Sequence, residues 1–235
     1  MASAPRTDKT TPLYVICSPC RRVGKTLVSR LLAEFYVVND RPVAAFDLAD
    51  EGPQLADYLP GITTIADIGD TRGQMAFFDR LIADDVGARI IDLSHRVFKN
   101  FFTVVQDIRF FEEARHRSIE PLILFVVEQD PKSAETYAML RHQLSEASLL
   151  PVRNQINAVA IGRAPQNANV PPTSLDIPLL GLPLRALIDR QSFSFSLLSR
   201  ASPADLPVSL KNELSRWVER IFFQFRHLEL VLGCA

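Results

Sequence analysis

The sequence predicts an α/β fold of three layers: a mostly parallel, twisted sheet with helices on both faces. Three observations predict it. Short, unbroken apolar runs recur along the chain. Segments with helical spacing of apolar residues lie between them. The chain has 235 residues and is 47% hydrophobic, enough to bury a sizeable core. Strands of a parallel sheet are covered on both faces, so they read as continuous apolar runs and not as alternation. Parallel neighbours also need long crossovers, usually helical, which ties the strand–helix alternation to a parallel sheet.

The elements follow in order. Residues 1–12, MASAPRTDKTTP, hold no apolar stretch of signal-peptide type and read as a flexible tail. The first strand is Leu13 to Cys17. From Gly24 to Val38, Leu27, Val28, Leu31, Leu32 and Phe35 fall on one helical face, and Asn39 and Pro42 stop the helix. Val43 to Phe46 is a second strand, Gln74 to Ala83 a helix, and Ala88 to Ile91 a third strand. Val97 to His116 reads as one long helix with a broad apolar stripe through 97, 98, 101, 102, 104, 105, 108 and 111. Leu122 to Val127 is the fourth strand. Asp130 and Pro131 are a cap and a first-turn proline for a helix to Glu146. Ile156 to Ile161 is a fifth run and Leu179 to Leu182 a shorter sixth. Segments 163–177 and 191–207 read as loops, and a last helix runs from Val208 to Leu230.

Charge and cysteine usage exclude several classes. With 26 basic against 27 acidic residues, the net charge of −1 gives no field for a polyanion, so nucleic-acid binding has no support. Three cysteines, Cys17, Cys20 and Cys234, make no disulfide framework and fit a reducing, cytoplasmic setting. No apolar run approaches the roughly 20 residues that span a bilayer.

The most informative stretch joins the first strand to the first helix. Val23-Gly24-Lys25-Thr26 is the second half of the phosphate-loop pattern G-x-x-x-x-G-K-[ST], with Pro19 at the first glycine position. Backbone N–H groups at a helix start, with the helix dipole, make a seat for phosphate. Gly24 allows close backbone approach, Lys25 reaches the β- and γ-phosphates, and the Thr26 hydroxyl suits Mg²⁺. Carboxylates at strand ends beside such a loop hold the metal. Asp47 ends the second run and Asp92 the third, both at the carboxyl edge where ligands bind in open α/β sheets. On this reading 13–235 is a single P-loop nucleotide-binding domain.

Ser18-Pro19-Cys20-Arg21-Arg22-Val23-Gly24-Lys25-Thr26 resembles the loop of the deviant Walker A ATPases of the ParA and MinD type, within the SIMIBI class of P-loop NTPases. The Gly-poor loop is also similar to that of dethiobiotin synthetase. The resemblance implies a Mg²⁺–ATP-dependent ATPase that switches a homodimer or a protein partner. It implies nucleotide contacts from Cys20, Arg21, Arg22, Val23, Gly24, Lys25, Thr26 and Pro183. Lys25 and Asp47 carry catalysis, and Thr26, Asp47 and Asp92 serve the metal, with Asp50 or Glu51 as a further acidic candidate. Cys20 stands where the family has its signature lysine, and Arg21 and Arg22 replace two glycines. Either guanidinium can pair with phosphate. Gly162 falls where the family often has an adenine-contacting Asn, and Ile177 to Pro183 matches a segment that lies against the base. Two alternatives stay open: a nucleotide-binding scaffold without hydrolysis, motivated by Cys20, and an ATP-dependent ligase like dethiobiotin synthetase.

Blander readings compete elsewhere. Cys17-Ser18-Pro19-Cys20 is a C-x-x-C of redox type, against which Cys17 is a core thiol. His95, His116, His142 and His227 show no metal-ligand spacing. The Phe-rich helix after Asp92 is either core or a nucleotide-sensing partner surface. The last helix either packs on the domain or lies on a membrane, as in MinD-like proteins, and its diluted basic face favours packing.

Overall fold

The computed structural model describes residues 10–48, 54–83, 87–144, 147–156, 174–200 and 206–234. Among the described residues seven strands make one sheet: β1 (Thr11–Cys17), β2 (Val43–Leu48), β3 (Thr63–Ile65), β4 (Ala88–Leu93), β5 (Ile119–Val127), β6 (Ser148–Asn154) and β7 (Leu175–Ile177). Their order is β3-β2-β4-β1-β5-β6-β7, and every pair is parallel. The helices are α1 (Lys25–Val38), α2 (Leu55–Tyr58), α3 (Thr71–Leu81), α4 (Phe98–Asp107), α5 (Phe110–His116), α6 (Pro131–Gln143), α7 (Leu182–Ile188), α8 (Phe195–Arg200) and α9 (Val208–Leu232).

Side-chain alternation along each strand feeds two cores. On β1, Tyr14 and Ile16 join Val28, Leu31 and Phe35 of α1, Leu184 of α7, Phe195 of α8 and Trp217, Ile221 and Phe225 of α9. Leu13, Val15 and Cys17 point the other way, to Phe77 and Phe78 of α3, Phe98 and Phe101 of α4, Phe110 of α5 and Leu140 of α6. The three-layer α/β prediction is met. Among the described residues, no helix is long and apolar enough to cross a membrane. The apolar face of α9, through Leu214, Trp217, Ile221 and Phe225, is buried.

Several boundaries differ from the sequence reading, each for a local reason. Thr11 and Pro12, expected in the tail, pair with Ile119 and Glu120 of β5. Pro121 lies within β5 but ahead of its first partner on β6, Leu122 with Ser148, so its missing N–H breaks no ladder there. Pro151 lies within β6 but ahead of β7, which begins pairing at Val152. That proline hid β6 (Ser148–Asn154), which the sequence reading did not expect, and of the strand expected at Ile156 to Ile161 only Ile156 is described, in a helical turn. Residues 157–161 lie outside the described residues. The run at Leu179 to Leu182 is not a strand; β7 comes earlier, inside the expected loop 163–177, and Leu182 opens α7. Likewise α8 occupies part of the expected loop 191–207. The single helix expected over Val97 to His116 is two, because Arg109 adopts φ 51.

Candidate functional site

β1 and β4 are neighbours, yet the helices that follow them pack on opposite faces. Such a divergence opens a crevice at the carboxyl ends of the strands, where α/β folds bind ligands. The Ser18–Gly24 loop and Asp92 both stand at this crevice.

The loop turns on Gly24, which caps α1 in the left-handed region at φ 90. A side chain is strained there, so the glycine of the sequence pattern is a backbone requirement. Arg22 is also left-handed, at φ 55, although it carries a Cβ. Arg21 and Arg22 are exposed, whereas Val23 is buried. The Val23 carbonyl accepts a hydrogen bond from the Asn154 side chain at 3.0 Å, and the Asn154 side-chain oxygen accepts from the Ile156 N–H at 3.2 Å. Asn154 ends β6 and braces the loop from two strands away. Sequence reasoning missed it because Pro151 disguised the strand. The Gly162 position considered for the base lies outside the described residues.

Lys25 begins α1, and its Nζ donates to the Cys20 carbonyl at 2.9 Å. The ammonium thus curls over its own loop. Burial lowers its pKa, while Asp92 favours its charged form. Thr26 follows on the first turn, half-buried.

The acidic pair sits opposite. Asp47 and Asp92 are register partners on β2 and β4, and both are buried. Asp47 Oδ2 accepts from the Ala56 N–H of α2 at 3.0 Å. Burial pushes the Asp92 carboxyl up to about 6; the Asp47 carboxylate adds to this, and the Thr26 and Ser29 hydroxyls and Lys25 oppose it. Asp92 Oδ2 is buried without a hydrogen-bond partner. A buried oxygen of this kind is costly unless something meets it. A hard divalent cation, which prefers oxygen ligands and keeps waters and phosphates for its other positions, fits the set of Thr26, Asp92 and Asp47. No three His, Cys, Asp or Glu converge into an all-protein metal cage among the described residues.

The structure therefore brings Lys25, Thr26, Asp47 and Asp92 to one rim. Pro183 is exposed on the first turn of α7, the helix that follows the edge strand β7. Asp50 and Glu51 lie outside the described residues. The C-x-x-C does not form a thiol pair: Cys17 joins the layer of α3 to α6, whereas Cys20 packs with the opposite layer. Burial raises the pKa of both thiols, which opposes redox reactivity.

No family model matches the chain, and no curated protein matches it. Among solved structures the chain is similar to a nucleotide-binding protein from Archaeoglobus fulgidus in complex with ADP and with cobalt. The TM-score is 0.49 at 16% identity, over 86% of this chain and 91% of that one.

Proposed function

We propose that the chain binds Mg²⁺–ATP through the Ser18–Thr26 loop and works as a P-loop ATPase of the ParA and MinD type, switching a homodimer or a protein partner. The observation that carries this reading is the buried, unpartnered Asp92 Oδ2 on the strand next to β1, whose end leads into a left-handed-glycine loop that opens α1. One side of the site offers backbone N–H groups and an ammonium, and the other offers carboxylates. That division of charge suits a metal–polyphosphate and suits neither a cation nor an anion alone.

The residues divide the work. Gly24 lets the backbone approach, and the N–H groups of residues 21–26 cradle phosphate oxygens. Lys25 exchanges the Cys20 carbonyl for a phosphate oxygen, an exchange its partial burial favours because a phosphate neutralises it more fully. Arg21 and Arg22 add guanidinium donors at the loop's outer edge. Thr26, Asp92 and Asp47 would hold Mg²⁺ or its waters, and the ion would supply charge neutralisation at the β- and γ-oxygens. Asp47 orders the attacking water.

A second reading, binding without hydrolysis, has one specific observation behind it. Cys20 stands at the loop position where a second cation would be needed, and a thiol carries no positive charge in either protonation state. Calorimetry with ATP, ADP and GTP, in Mg²⁺ and in EDTA, tests binding. Phosphate release separates the two readings. Lys25→Ala should weaken ATP binding by about 100-fold, the worth of one charge-assisted phosphate contact. Equal ATP affinity in Lys25→Ala and the parent chain sinks the nucleotide assignment. Binding with equal phosphate release in both removes hydrolysis alone.

A further inference from the structure

Arg30 lies on α1, five residues past Lys25, and is 2% exposed. Each of its three guanidinium nitrogens makes a hydrogen bond. Nε donates to Glu34 at 3.1 Å, one terminal nitrogen donates to the Ile188 carbonyl at 2.6 Å, and the other donates to the Phe193 carbonyl. Glu34, also buried, accepts from the Ser196 N–H at 2.8 Å and from the Ser194 hydroxyl. Taking both charges out of water is expensive, and a pair of apolar residues would serve the core as well or better. What the ion pair does supply is a guanidinium fixed in place by its own helix, by the last residue of α7 and by the loop that leads to α8.

The guanidinium carries an aromatic load. The rings of Tyr58 and Phe195 lie 4.5 and 4.7 Å from its carbon. Tyr58 ends α2, and two residues earlier the Ala56 N–H holds Asp47 Oδ2. Besides the ring contact with Arg30, α2 is anchored by Leu55, which is buried in the core beneath α1. The cation–π contact thus falls on the last residue of a four-residue helix whose Ala56 N–H holds an acidic side chain at the rim.

We propose that Arg30 and Tyr58 are positioning residues for Asp47: the fixed guanidinium seats the Tyr58 ring, the ring seats α2, and Ala56 of α2 aims the carboxylate. The inference rests on the reading of Asp47 as a metal-side acid in the nucleotide site, and it names what regulates that acid's orientation. Neither residue touches nucleotide. Their influence falls on the metal-dependent part of binding and spares the phosphate loop.

Tyr58 is the residue to change, since it is half-buried and its loss spares the Arg30–Glu34 pair. Tyr58→Leu removes the π-face and keeps bulk. Tyr58→Phe keeps the face and loses only the hydroxyl, whose bond to the Asp189 carbonyl is long at 3.4 Å. The first measurement is amide hydrogen exchange at Ala56 without any ligand. The second is ADP affinity with Mg²⁺ and with EDTA. In Tyr58→Leu the Ala56 amide should exchange at least about tenfold faster, and the Mg²⁺-dependent gain in ADP affinity should fall about tenfold, the usual cost of losing an outer-shell partner. Affinity in EDTA should stay within about twofold, because phosphate-loop contacts are untouched. Tyr58→Phe should restore both. Unchanged Ala56 exchange in Tyr58→Leu overturns the proposal, as does an equal loss of affinity in both media. Should the parent chain bind no ADP in either medium, the nucleotide reading falls, and Ala56 exchange still decides the positioning role by itself.

Discussion

Asp92 carries a charge that its surroundings oppose. Its pKa near 6 lies above the ordinary carboxylate value of the unfolded chain, so folding favours the protonated form. The stability contributed by this group is full below about pH 4 and is lost as pH rises through about 6. In EDTA and without nucleotide, Asp92→Asn should flatten that dependence. At pH 7 it should raise stability by about 3 kcal/mol, the scale of a two-unit shift. Urea unfolding at pH 4, 5.5 and 7 checks this; an Asn variant less stable than its parent at pH 7 contradicts it. A residue that costs the empty protein stability is a candidate for work in the loaded one. Gly24, Lys25 and Thr26 are legible in the sequence because the chemistry dictates residue types in a fixed local order, and Asp47 and Asp92 because strand ends are local too. Asn154 and Arg30 are not legible. Asparagine and arginine are common, and what distinguishes these two is contact with Val23 across 131 residues and with Ile188 across 158.

At the scale of elements, the break between α4 and α5 is instructive. The apolar spacing runs through it without a gap, since both helices share one core and one period. Arg109 at φ 51 re-aims the chain, and Ile108, expected on the buried stripe, is left 51% exposed. A left-handed arginine costs about 1 kcal/mol against glycine at the same position. Its exposed contact with Glu112, at 4.0 Å, contributes little in return. Arg109→Gly should therefore raise the midpoint of thermal unfolding by a few degrees, about 1 kcal/mol in stability. A lower midpoint would mean the guanidinium has a partner role at this corner. The prolines teach the converse lesson. Pro121 and Pro151 argue against strands when read alone, and are harmless where the neighbouring strand has not yet begun to pair.

At the scale of the molecule, α9 closes the layer over α1. Phe35 of α1 meets Phe222 and Phe225 edge-on at 5.4 and 5.8 Å, and Arg41 reaches the buried Glu229 at 2.6 Å. The Trp217 N–H donates to the Pro178 carbonyl at 2.8 Å, so the sole tryptophan reports on this layer. Ile221→Ala, at a fully buried position, should cost about 2–5 kcal/mol. Tryptophan emission and far-ultraviolet circular dichroism should still lose signal together, as one cooperative unit would. Separate transitions would show that α9 and the sheet are independent domains.

By itself the sequence determined the layered α/β class, the first strand–loop–helix junction and two acids at strand ends. Each rests on interactions between residues near in sequence, so a short window contains the whole physical reason. Tertiary structure decided which strands are neighbours, where β6 and β7 begin, and what holds the site's parts in place. Those outcomes depend on which N–H groups lack a partner and which charges meet after the chain has closed, quantities that no window of sequence contains.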